Sequence, residues 1–438
     1  MKRIRTSIAL VLCVLMFWSF NKSIDTSQLT PEELKKDVYI LRKKLEKYHP
    51  GLYWYTSKAE FDLTWDSSIA CIDKPMSEEQ FFKLLLPLIA KVKCSHTLFY
   101  PSAKILSSGS RFPLDLKFID GKGYVLPDSI NQYQIPKGSE LLSINGKSLN
   151  EIVDLLLPNL EAQGGNLGWK FVILENDFQN YYYYIIEQTE IFEIEYIDHV
   201  TGQRVLASVN GSTEPALRQH WKNWYPKETG GPLKIEFLTD PDVAIITIKS
   251  FSKGRHKQFH QDFDKLIELY FDEISRKRIQ NLIIDVRGNE GGNGPEKLYS
   301  YIARENDRST SSPPETILPS RNNFIGNVIV LANERSISAQ ETFVSIFRNC
   351  KRGIIVGKST PGCYKGLTGG KKRRLVLPNS RHEIRIPMYA SLRTYTEQLP
   401  YEEGEGFPPD FKVQENINEI LAGKDLVVEL ALEKYSRG

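Results

Sequence analysis

Three apolar, β-branched runs separated by helical stretches constrain this chain more than any other feature. Asn281-Leu282-Ile283-Ile284-Asp285, Val328-Ile329-Val330-Leu331 and Ile354-Ile355-Val356 read as strands of the kind buried on both faces. A further strand is expected over 243–248. Residues 260–274 and 339–348 carry the apolar spacing of amphipathic helices. Strands alternating with helices build a mostly parallel α/β domain. Gly230-Gly231-Pro232 marks its start, so the domain is expected over 232–438.

The 438 residues leave room for more. Thr30-Pro31-Glu32-Glu33 supplies an N-cap, a proline at the first helical position and acids near the helix N-terminus. Leu34, Val38, Leu41 and Leu45 follow at helical spacing, and Ser77 opens a second amphipathic helix over 77–92. A helical domain is expected over 27–103, with His49 capping its first helix. From 112 to 209 the pattern changes to short strands punctuated by Gly and Pro. The Tyr181-Tyr182-Tyr183-Tyr184 run reads as strand core and edge.

The formal net charge of +3 has no strong basic block, which argues against nucleic acid as a partner. The densest basic run, Lys371-Lys372-Arg373-Arg374, reads as a solvated hairpin end. Lys2, Arg3 and Arg5 precede an apolar stretch from Ile8 to Phe20, then polar Asn21-Lys22-Ser23. That is a signal peptide or N-terminal anchor over 1–23, which would allow membrane anchoring. The expected location is outside the cytoplasm: periplasm, cell envelope or medium. Cys71, Cys94, Cys350 and Cys363 remain beyond it, without zinc spacing, and neither metal nor organic cofactor is expected.

Two loops carry chemistry. Asp285-Val286-Arg287-Gly288-Asn289-Glu290-Gly291-Gly292 follows a buried strand, where glycines let a backbone N–H face a ligand. Asn333-Glu334-Arg335-Ser336-Ile337-Ser338-Ala339-Gln340-Glu341 follows another and opens a helix, where a serine gains from the helix dipole. Either loop alone reads as a turn or an N-cap.

Together they resemble the tail-specific (C-terminal processing) serine protease family, whose members carry Asp-x-Arg-x-Asn-x-Gly-Gly and then a Ser in a small-residue context closing on Glu. The resemblance implies a ClpP/crotonase-like catalytic domain, Ser338 rather than Ser336 as nucleophile, and an oxyanion hole from the N–H groups of Gly291 and Ala339. Ile135-Pro136-Lys137-Gly138-Ser139-Glu140-Leu141-Leu142-Ser143-Ile144-Asn145-Gly146 and a following helix over 149–157 resemble a PDZ domain. A PDZ-like unit over 112–209 would bind extended peptide at a sheet edge, with 163–184 an unusual insertion.

The base stays open between two branches. The processing proteases use a Lys after Val-Gly-Glu-x-Thr-x-Gly; here Val356-Gly357-Lys358-Ser359-Thr360-Pro361-Gly362 is followed by Cys363, and Lys365 comes two residues late. On a strand that slip moves the amine by about 6–7 Å. The branch similar to tricorn core protease and the retinoid-binding-protein repeats uses a Ser-His pair before the PDZ domain and a late Glu. Cys94-Ser95-His96-Thr97 and the Glu402-Glu403-Gly404-Glu405-Gly406-Phe407-Pro408-Pro409-Asp410 stretch match it. That implies His96 as base, oriented by Glu403 and assisted by Ser95, with Lys365 as the alternative base. The expected activity is endopeptidase action on unstructured polypeptides or chain ends. The rivals are a peptide-binding protein that lost catalysis and a hydrolase of another acyl substrate.

Overall fold

The computed structural model describes residues 28–126, 135–217, 230–397, 401 and 404–436. The expected leader at 1–23 lies outside them. Among the described residues no helix is long and apolar enough to cross a membrane.

The expected α/β unit is there. Its six-stranded sheet runs in the order Leu233–Thr239, Asp242–Ile248, Asn281–Asp285, Asn327–Ala332, Ile354–Gly357 and Phe411–Lys412. The first pair is antiparallel and every later pair parallel. Side chains alternate between its faces, as strand geometry requires. Leu282, Ile284, Val328, Val330 and Ile355 pack with the helices Phe263–Lys277 and Ala339–Asn349. Ile283, Ile329, Leu331 and Val356 point the other way, onto Val427 and Ala431 of the helix Leu426–Ser436. Asp285 stands opposite Leu331, and Leu331 opposite Val356. Both chemistry-bearing loops therefore leave the same carboxyl edge of the sheet, where open α/β sheets place their ligands.

The β-rich unit is an antiparallel sheet in the order Leu116–Ile119, Lys122–Val125, Glu140–Ile144, Ile191–Ile197 and Arg204–Asn210. Asn145 and Gly146 both take positive φ (48° and 75°), the conformation of a tight primed hairpin turn, and Lys147–Ser148 folds back on the strand before. The helix Leu149–Leu156 follows with a full capping box at Ser148 and Glu151.

Three readings need correction. Tyr181–Tyr184 is not strand: the helix Leu167–Tyr181 continues into a π-turn over Tyr182–Ile186, and burial of Tyr182 against Phe112, Phe178 and Phe192 overrides the β-propensity of the run. The basic run is not a hairpin end but lies within the long strand Gly366–Val376, with a register shift between Gly369 and Lys372. The N-terminal helices, Pro31–Tyr48, Lys58–Ala70 and Glu78–Ala90, do not form a core of their own. Leu41, Trp65 and Phe82 share one apolar cluster with Ile144 and Phe192 of the β-rich unit and with Ile384 and Ile386 of the strand Glu383–Leu392. Leu98–Tyr100 adds a strand to the hairpin formed by Gly366–Val376 and Glu383–Leu392.

Candidate active site

The two loops are stitched together before any reaction chemistry is considered. Arg287 forks onto Asp285 (2.9 and 2.8 Å) and onto Asp425 (2.8 Å twice), anchoring the first loop to the sheet and to the C-terminal helix. Asn289 donates from Nδ2 to Ile248 O (2.8 Å), and its backbone oxygen accepts Ile337 N–H (3.0 Å). Asn333 Oδ1 accepts Gly288 N–H (3.0 Å). The polar residues of both motifs therefore hold Ser338 against Gly291.

Ser336 and Ser338 differ sharply. Ser336 is fully buried, and its hydroxyl lies 2.9 Å from Val286 O and 3.0 Å from Asn333 Oδ1. Ser338 stands at the head of the helix Ala339–Asn349 with φ +67° and ψ −119°, and its hydroxyl makes no capping bond. A non-glycine residue held in that region stores strain, as a serine on a sharp strand-to-helix turn does in other hydrolases. It lines a cavity of about 460 Å³ with Gly292, Ala339 and Thr342. Gly291 must lack a side chain, because a Cβ there would sit 2.7 Å from Ser338 Cβ; at Gly292 (φ +138°) it would sit 2.2 Å from Phe251 C.

The N–H groups are arranged less simply than the motif implies. Ala339 is the first residue of its helix, so its N–H has no intrahelical acceptor. Gly291 N–H donates to Asn289 Oδ1 (2.8 Å), so it is already engaged in this conformation. Gly292, beside it on the cavity wall, was not singled out from the sequence; only the Gly-Gly pair signalled it.

His96 is buried, with Nδ1 3.4 Å from Ser95 Oγ. Its Nε2 would lie 3.5 Å from a Cβ on Gly369, while the adjacent Gly370 lines the Ser338 cavity. The imidazole thus sits at the hairpin strand bordering the cavity. It makes no hydrogen bond with Ser338 among the described residues. Burial, then the charges of Lys372 and His49, pushes its pKa down to about 3.

Lys365 is turned elsewhere. Its Nζ donates to Trp54 O (2.8 Å) and faces the Tyr55 ring at 5.5 Å. Cys363 is buried, its thiol pushed well up by burial, then by Glu341. Glu341 explains itself structurally: Oε1 accepts the N–H groups of Gly362 and Cys363 (3.0 Å each), tying that loop to the helix that follows Ser338. Glu403 lies outside the described residues. Its flanks are fixed: Glu405 O accepts Tyr364 N–H (3.2 Å), and Tyr401 packs on Tyr364 and Phe407.

His49 caps the first helix as expected, its N–H bonding Leu45 O. Its Nδ1 accepts Gly51 N–H (3.2 Å), and its buried Nε2 has no partner among the described residues. Burial holds His49 and His382 down at about 4. With His96 they are neutral when folded, yet titrate near 6.5 when unfolded. Below that pH the unfolded chain binds protons that the native chain excludes. Stability is expected to be full above about pH 6.5 and to fall toward pH 4, by at most about 4 kcal/mol per pH unit with all three acting. Urea denaturation at pH 7.5, 6.0 and 5.0 checks this; a midpoint unchanged over that range would contradict it.

Comparison with known proteins adds the decisive observation: residues 242–413 match the family description "Peptidase family S41". That stretch is similar to the S41 peptidases. The S41 match spans both loops, from the strand Asp242–Ile248 to the strand Phe411–Lys412. It makes the chain a serine-type peptidase. Solved structures extend the likeness in fold. The crystal structure of mature CPAF is similar with a TM-score of 0.66, 13% identity, and coverage of 93% of this chain and 97% of that one. Mature CPAF complexed with lactacystin gives 0.67, 15%, 93% and 98%. No curated protein matches the chain.

Proposed function

We propose that the chain is an exported serine endopeptidase cutting unstructured polypeptides or chain ends through an acyl-enzyme on Ser338. The observation that carries this is the contrast at the S41 helix: Ser336 is locked into the loop, while Ser338 stands strained and uncapped on a cavity. Ser338 Oγ attacks the amide carbonyl carbon as its proton passes to the base. The oxyanion is met by Ala339 N–H and by the glycine loop, where the Gly291 N–H now held by Asn289 must be released or Gly292 N–H, on the same cavity wall, take its place. The protonated base then donates to the leaving amine, and water releases the acyl group by the reverse sequence.

His96 is the base in this reading. It makes no hydrogen bond with Ser338 among the described residues, so the hairpin strand and the 94–97 turn would close on the serine when substrate enters, as catalytic bonds often tighten only in the complex. A carboxylate from Glu403 turned onto Nδ1 would raise the imidazole pKa from its buried value toward one suited to proton transfer. Export rests on the 1–23 leader pattern.

The β-rich unit, read as PDZ-like, would hold extended substrate. Its core is shared with the N-terminal helices, so the test uses the full chain. Ser338→Ala protein is expected to bind fluorescent extended peptides without cutting them, by anisotropy. No binding by folded protein would make the unit a spacer or lid.

A further inference from the structure

We propose that the cavity beside Ser338 receives a carboxylate of the substrate, held by Arg393 and Lys371. This rests on the reading of Ser338 as nucleophile.

Arg393 reaches this cavity from the strand end after Leu392. Its guanidinium is fixed wholly by neutral acceptors. Nε donates to Cys363 O (2.7 Å), Nη1 to Ser345 Oγ (2.7 Å) and Thr310 Oγ1 (3.3 Å), and Nη2 to Thr342 Oγ1 (3.3 Å). One Nη2 proton is left over. No carboxylate pairs with it among the described residues. Buried Glu341 is within electrostatic range, but its Oε1 is taken by two backbone N–H groups and no salt bridge joins it to Arg393 among the described residues. A part-buried guanidinium held rigid, lining a cavity and joined to no carboxylate by a salt bridge among the described residues, is a ready fork for an anion that enters.

Lys371 supplies a second charge. It lies at the register shift of its strand, exposed, with no ion pair among the described residues, and lines the same cavity. An irregularity of this kind re-aims a side chain out of the regular alternation. The opposing charge on the lining is Glu296, exposed on the short helix Pro295–Ser300. Two cations against one rim carboxylate leave the cavity net positive, and the hydroxyls of Thr310, Ser311, Thr342 and Ser391 suit a polar occupant. An arginine fork with hydroxyl neighbours matches a carboxylate better than any neutral side chain.

The carboxylate has two possible sources: an Asp or Glu side chain flanking the scissile bond, or the substrate's own C-terminus. Three pairs of internally quenched peptides separate them: Asp against Asn, Glu against Gln at each flanking position, and free acid against amide at a C-terminus just beyond the cut. The expected result is a kcat/KM at least about tenfold higher for the acid member of one pair, falling to about twofold or less in Lys371→Gln and in Arg393→Gln. Arg393→Gln also loses structural bonds, so Lys371→Gln, on an exposed strand position, is the cleaner variant. Acid and amide members cut equally by an enzyme that turns over would overturn the subsite alone. So would a preference that survives both substitutions. Absence of turnover together with absence of fluorophosphonate labelling would instead overturn the nucleophile reading, and the subsite with it.

Discussion

Ser338→Ala is expected to reduce peptide hydrolysis by at least about 10⁴-fold while leaving the fold intact, because without the nucleophile no acyl-enzyme forms and only the residual rate from oxyanion donors and substrate binding is left. The hydroxyl makes no capping bond and no hydrogen bond among the described residues, so little that supports the fold is lost with it. Ser336→Ala should do the converse. It removes one buried O–H, shared between Val286 O and Asn333 Oδ1, both of which keep backbone N–H donors, and should cost about 0.5–1.5 kcal/mol of stability while activity persists. Paired measurement of turnover and of urea midpoints distinguishes the two. Loss of activity in Ser336→Ala with full activity in Ser338→Ala would move the nucleophile by two residues.

His96→Ala is expected to lower turnover by orders of magnitude, and Lys365→Ala far less. The reason is positional. His96 sits at the strand bordering the Ser338 cavity, whereas the Lys365 amine is bonded to Trp54 O and faces Tyr55. Burial also changes the pH profile expected from sequence. An ordinary imidazole would make activity rise through about pH 6–7. With the free-enzyme pKa of His96 pushed down to about 3, kcat/KM should already be near its plateau at pH 5–6, limited below that by unfolding. A lysine base, which must be neutral to act, would place the rise on the alkaline side. Measuring both variants and the parent over pH 5 to 10 decides the matter. Full activity in His96→Ala with loss in Lys365→Ala would restore the serine–lysine alternative.

The parts of the fold legible in the sequence were those governed by local rules. Asn281–Asp285 and the neighbouring strands are continuous apolar runs because both faces of the sheet are covered, and their bounds match the reading to within a residue or two. The Ile144-Asn145-Gly146 turn was legible because only a few residue types take its backbone angles. The helix Lys58–Ala70 was not separated from its neighbours, since it buries only Phe61 and Trp65 and shows no apolar stripe; its Ser57 N-cap was the available signal. Non-local pairing was invisible. Nothing in Leu98–Tyr100 announces that it will pair with Glu383–Arg385, nor in the N-terminal helices that their core is shared. In the candidate site, the sequence motif singles out Ser338, but Gly291's bond to Asn289 and the hydrogen bonds that hold Arg393 depend on atoms meeting across the chain.

The most direct test of the account is covalent labelling of the folded full-length chain with a fluorophosphonate probe, followed by mapping of the modified peptide. A single adduct is expected on Ser338, absent in Ser338→Ala and retained in Ser336→Ala. An adduct on any other serine, or none on folded protein that hydrolyses peptides, would contradict it.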